Sequence, residues 1–246
     1  MTPKHTIAMI LALSTVSCAS TGEHRSQMAQ DTKNLGEAYL NQGNYAGALK
    51  ELLDAEKIIP DDPYLHNDLG LVYMARGRYG LAEEHFTRAV ALKPDYVPAQ
   101  NNLGTALLRQ EKWDQAITCY REIVGNLLYA TPHFALTNLG WAYLGKKDFR
   151  KAKENFSKAL DIKPDFVNAV HGLATAYLST GQADSVENLL GKSLQKNPEA
   201  AILHADLARA LEATRQYARA KQAWKMVIKL APETDLAREA DHHLNP

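Results

Sequence analysis

The chain has 246 residues, 46% of them hydrophobic and 23% charged, the proportions of an ordinary folded protein and not of a disordered one. Its 28 Lys and Arg balance 28 Asp and Glu, so no net field draws it to nucleic acid or to anionic lipid. It has two cysteines, Cys18 and Cys119; if Cys18 is consumed by processing, no internal disulfide can form.

Residues 1–17 differ in character from the rest of the chain. A basic start at Lys4 and His5 leads into an apolar run of roughly 11 residues and then into the small residues Ser17, Cys18, Ala19 and Ser20, the order of parts in a secretory signal. The run is well short of the ~20 residues a membrane-crossing helix needs. Cys18 directly after Val16-Ser17 resembles the bacterial lipoprotein processing box, although Thr15 stands where that box usually has Leu. The resemblance implies a signal peptide over 1–17, a diacylglyceryl group on Cys18 and, from Ala19-Ser20, sorting to an outer membrane. A plain signal peptide cut without lipidation is the alternative. Residues 18–28 then form the lipidated cysteine and a short polar tether.

From residue 29 a period of 34 governs the chain. Leu followed by a small residue recurs at Leu35-Gly36, Leu69-Gly70, Leu103-Gly104, Leu139-Gly140, Leu173-Ala174 and Leu207-Ala208, at intervals of 34, 34, 36, 34 and 34. Ala48, Ala82, Ala116, Ala152, Val186 and Ala220 keep the same phase, as do Leu52, Phe86, Tyr120, Phe156, Leu190 and Trp224. Gly in a helix interior costs ~1 kcal/mol against Ala, so its recurrence points to a close approach between paired helices. Prolines at 60, 94, 164, 198 and 232 stop the second helix in five of the six units. Gly43, Gly77 and Gly181 suit turns with positive φ.

This pattern resembles the tetratricopeptide repeat. The resemblance implies an all-α, right-handed superhelical solenoid of six helix-turn-helix repeats, at 29–62, 63–96, 97–132, 133–166, 167–200 and 201–234. A capping helix over 235–246 would cover the open end. Two extra residues stand between the third and fourth units, in 125–133.

No catalytic constellation emerges. None of the nine histidines lies in an H-E-x-x-H sequence, no phosphate-cradling Gly-rich loop is present, and Cys119 has no base beside it in sequence. The reading is of a non-enzymatic chain with no cofactor and no metal; His242-His243 belong to the cap. In this architecture the first helices line a groove. The residues expected there are Asn67, Leu71, Met74, Asn101, Thr105, Leu108, Phe134, Thr137, Trp141 and His171, with Asn placed to bond an extended peptide's backbone and apolar neighbours placed to receive its side chains. Trp141 is divided between groove and core. The family's basic carboxylate clamp is not expected, because Glu37 opposes Lys33 and both Pro98 and Asn102 are neutral.

A lipoprotein signal followed by six such repeats, with the stretch 128–140 at the irregular junction, resembles the type IV pilus biogenesis/stability (pilotin) lipoproteins. That resemblance implies an outer-membrane protein, lipid-anchored on the periplasmic face, that binds a secretin and assists its localisation and assembly. The alternative is a lipoprotein adaptor organising peptidoglycan hydrolases or synthases. No nucleic-acid partner is expected.

Overall fold

The computed structural model describes residues 24–125 and 130–245. The signal segment, Cys18, residues 18–23 of the tether and positions 126–129 of the irregular junction lie outside the described residues. Among the described residues there are helices and turns and no strand: α1 (residues 24–41), α2 (Tyr45–Glu56), α3 (Pro63–Ala75), α4 (Tyr79–Leu92), α5 (Val97–Arg109), α6 (Trp113–Gly125), α7 (Pro132–Gly145), α8 (Phe149–Ile162), α9 (Val167–Leu178), α10 (Ala183–Lys196), α11 (Ala201–Ala213), α12 (Tyr217–Leu230) and α13 (Asp235–Leu244). One boundary differs from the sequence reading. Residues 24–28 are not tether but the start of α1, where no Gly or Pro interrupts the run and Thr32 Oγ1 donates to the Met28 carbonyl at 2.8 Å.

Local chemistry sets the punctuation. Asp62 caps α3, its carboxylate accepting from the Tyr64 and Leu65 amides at 2.7 and 3.1 Å, and Pro63 takes the first helical position, where its missing N–H costs nothing. The second helices α4, α8 and α10 end just before Lys93, Lys163 and Asn197, each kept out of the helical region, with φ of −140°, −135° and −126°, by the proline next in the chain. Between first and second helices the chain takes a positive φ at one fixed register position. That position holds Gly43, Gly77 and Gly181, but also Glu111, Lys147 and Arg215. The turn geometry therefore repeats even where the glycine does not.

Packing divides the chain into two units, residues 1–110 and 111–246. In the first, Ala48, Leu52, Ala55, Leu65, Leu69 and Val72 form one buried cluster, and Ala82, Phe86 and Ala106 form another against Leu71, Tyr73, Met74 and Leu103. A Cβ on Gly70 would lie 2.4 Å from the Phe86 ring, so the missing side chain is the space the ring fills. In the second unit Phe156 is buried between two such positions, 2.7 Å from a Cβ built on Gly140 and 2.2 Å from one on Gly172. Helix α13 lays Ala240 against Ala205, Ala208 and Trp224, with Leu236 and Leu244 packed beside it. Within each unit successive first helices touch, α3 with α5, and α7 with α9 and then α11. Among the described residues no second helix makes the equivalent contact. First helices thus form the tighter side of each stack.

Candidate functional site

The first-helix face of unit 1 is built on α1, α3 and α5. Its polar groups are largely spent on one another. Asn102 Nδ2 donates to Asn67 Oδ1 at 2.9 Å across 35 residues of sequence, and Asn67 is 5% exposed. Lys33 Nζ, also buried, reaches Asp62 at 3.0 Å and Glu37 at 3.8 Å. Asp68 lies beside Glu37; burial, then the neighbouring Glu37 carboxylate with which it shares a hydrogen bond, pushes the Asp68 carboxyl up to about 7. Leu71 and Met74 are half-buried, one side of each packed on the Phe86 cluster. Asn101, Thr105 and Leu108 are half-buried on α5, and Thr105 Oγ1 donates to the Asn101 carbonyl at 3.0 Å.

Unit 2 presents α7, α9 and α11. The rung seen at Asn67–Asn102 recurs here, again 35 residues apart: His171 Nδ1 sits 2.7 Å from Asp206 Oδ2. Asp206 is fully buried, and Arg209 completes its shell at 3.0 Å while forking onto Glu239 of α13 at 2.7 Å from each carboxylate oxygen. A buried carboxylate is tolerated because both oxygens meet donors. Trp141 lies edge-on to Phe156 with centroids 5.3 Å apart, and as far from the His171 ring; half-buried, it serves the core with one edge. Phe134 is the most open of the set, 43% exposed, and packs on Phe166 at 5.0 Å. Thr137 is 2% exposed and its hydroxyl is committed to the His133 carbonyl at 2.7 Å, so it has little to offer a ligand. At the next rung Gly172 stands in place of a polar residue, since the Phe156 ring occupies that space.

Two features escaped the sequence reading. Asn102 and Asp206, each just before a Leu landmark, are the outer halves of the rungs, and Asp68 holds the same register; the Asn/Asp recurrence at that register was the available signal. The other is a cluster of Glu56, His66 and His85 on the second-helix side, where no metal was expected; burial there holds the His85 imidazole below its ordinary value. A recess of about 600 Å³ between α8, α9 and α10, lined by Tyr177, Leu189 and Lys192, lies away from the first-helix face.

The tetratricopeptide-repeat models match residues 61–127 and 95–165, 143–192 and 206–234, and a TPR-repeat model matches 36–77. The chain is a tetratricopeptide-repeat protein. Among curated relatives, anaphase-promoting complex subunit 3 of Schizosaccharomyces pombe is 25% identical over 137 residues; the match takes in 56% of this chain but only 20% of that protein's length. Solved tetratricopeptide-repeat structures resemble it over much more of its length. The type IV pilus biogenesis factor PilW matches with a TM-score of 0.76 at 20% identity, covering 87% of this chain and 98% of PilW. Pseudomonas aeruginosa PilF matches at 0.69 and 22%, covering 89% and 99%. A tetratricopeptide-repeat protein of Parabacteroides merdae matches at 0.71 and 18%, covering 89% and 90%. At these identities the likeness is one of fold. No described helix is long and apolar enough to cross a membrane.

Proposed function

We propose that this tetratricopeptide-repeat protein is an outer-membrane lipoprotein scaffold whose first-helix faces hold a segment of a type IV pilus secretin during its localisation and assembly. The observation that carries the reading is the combination of a lipoprotein-type processing sequence at Cys18 with repeats that leave Leu71, Met74 and Phe134 partly open beside polar rungs. Likeness of fold to PilW and PilF, nearly from end to end of both, supports it. The lipid supplies the address: several acyl chains at ~0.8 kcal/mol per buried CH₂ make a durable anchor. The repeats supply the contact, and confining both partners to one membrane surface raises their effective concentration without a tight individual contact. Catalysis has no part in this mechanism.

Deletion of the gene followed by immunoblotting of the secretin tests the reading. The expected result is loss of the multimer with monomer retained, and Cys18→Ala is expected to leave the multimer in the wrong membrane and to lose labelling by radioactive fatty acid. A normal multimer in the deletion strain overturns the assignment.

A further inference from the structure

The second-helix side of unit 1 brings a carboxylate and two imidazoles, Glu56, His66 and His85, within reach of one another. Three register positions meet at this junction between hairpins: one near the end of a second helix, one in the first turn of the next first helix, and one in the middle of the second helix after it. At the junction held by Leu160, Val170 and Leu189 these positions are apolar and pack together. The residue at the first of them is Val90, Val124, Leu160, Leu194 or Ile228 in the other units. At the first junction alone the three are Glu56, His66 and His85. Glu56 thus stands where every other unit has an aliphatic residue, and it is set beside a buried imidazole, where a carboxylate calls for a partner.

Their orientation is specific. His66 Nε2 is 2.8 Å from the Pro60 carbonyl oxygen, which can only accept, so this nitrogen carries the proton. Gln100 and His204 occupy the same register and approach the Pro94 and Pro198 carbonyls in the same way, at 2.7 and 2.8 Å. The lone pair of His66 is therefore on Nδ1, directed at His85 Nδ1 3.1 Å away. Glu56 Oε1 stands 3.6 Å from the first of these nitrogens and 4.0 Å from the second. Two nitrogens bound to one zinc ion at about 2.0–2.1 Å lie about 3.3 Å apart at a tetrahedral angle, close to the spacing already present. A carbonyl holding the far nitrogen of a histidine is also the usual outer partner of a metal-bound imidazole, fixing its tautomer and its plane.

We propose that Glu56, His66 and His85 form a binding site for a divalent transition metal ion, with zinc the fitting ion. His66 Nδ1, His85 Nδ1 and a Glu56 carboxylate oxygen are the ligands, and water takes the fourth position. Two nitrogens and one oxygen suit zinc, and copper and nickel compete for such a set. Access is from the second-helix side, where the Glu56 side chain is 28% and that of His85 17% exposed. Because the ligands come from α2, α3 and α4, the ion ties the first hairpin to the second and stabilises the N-terminal end of the array.

The test uses the full-length protein stripped with a chelator and dialysed, titrated with zinc chloride by calorimetry and followed by thermal unfolding. One equivalent is expected to bind, and saturation at a hundredfold excess over Kd is expected to raise the unfolding midpoint by roughly 5–10 °C. Glu56→Gln, which keeps the shape of the side chain, and His85→Gln are each expected to weaken binding by more than the 10–100-fold typical of losing an outer partner. Their midpoints in chelator are expected to stay near that of the parent. The double variant His242→Ala/His243→Ala is expected to bind as the parent does. Absence of stoichiometric binding, undiminished binding by Glu56→Gln, or binding that disappears only with His242 and His243 would each overturn the proposal, leaving the three side chains as a hydrogen-bonded cluster.

Discussion

Asp68→Asn gives the sharpest prediction for the first-helix face. In the folded protein burial and the Glu37 carboxylate push the Asp68 carboxyl from 3.8 up to about 7. The folded state thus holds a proton that the unfolded chain releases near pH 4, and stability falls as pH rises from about 4 to about 7. Three pH units at 1.36 kcal/mol each set a ceiling of about 4 kcal/mol; Asp68 is only half-buried, so screening reduces the expected loss to roughly 2 kcal/mol. Asparagine mimics the protonated acid, keeps a donor for Glu37 and does not titrate. Urea denaturation at pH 5 and pH 8, in chelator so that bound metal contributes nothing, compares the two proteins. About a third of the loss already falls between pH 4 and pH 5, so the variant is expected to lead by under ~1 kcal/mol at pH 5 and by about 2 kcal/mol at pH 8. A variant destabilised equally at both pH values would refute the reasoning, because Asp68 would then be an ionised group held by Lys33.

Other changes test the packing. Gly172→Ala drives a methyl to 2.2 Å from the Phe156 ring, whose opposite wall is Gly140; overpacking at ~1–3 kcal/mol outweighs the ~1 kcal/mol gained in helix propensity. Gly191→Ala, with nothing within 4 Å, is expected to stabilise by up to ~1 kcal/mol, and thermal unfolding of the pair separates sterics from propensity. Arg215→Gly relieves a φ of +60° on an exposed turn residue and is expected to add roughly 0.5–1 kcal/mol in the same assay. Arg209→Met leaves fully buried Asp206 with His171 alone and unties Glu239. A loss of about 2–4 kcal/mol is expected, with faster amide exchange along α13; unchanged protection there would show that apolar contacts alone hold that helix.

The fold was legible because its determinants are local and periodic. Small residues at Gly36, Gly70 and Gly140 mark where Leu52, Phe86 and Phe156 must fit, and Pro94, Pro164 and Pro198 stop their helices through sterics of one residue. The left-handed turn at Glu111, Lys147 and Arg215 was hidden because neighbouring helices impose it on residues that do not prefer it. The site was less legible. Side-chain pairs 35 residues apart, such as Asn67–Asn102 and His171–Asp206, arise from how hairpins stack, which periodicity alone does not specify. Thr137 fell on the expected face by register, yet it is buried with its hydroxyl bonded to the His133 carbonyl. The Glu56, His66 and His85 positions are far apart in sequence and match no ligand spacing, and only Glu56 stands out by register, against Val90, Val124, Leu160, Leu194 and Ile228.

Site-specific photo-crosslinking in cells tests the central claim most directly. A photoreactive residue replaces Leu71 on α3 or Phe134 on α7, and separately Thr87, an exposed position on the second helix α4. Adducts with the secretin are expected from Leu71 and Phe134 and not from Thr87. Adducts from Thr87 alone would place the partner on the opposite side of the repeats and contradict the account.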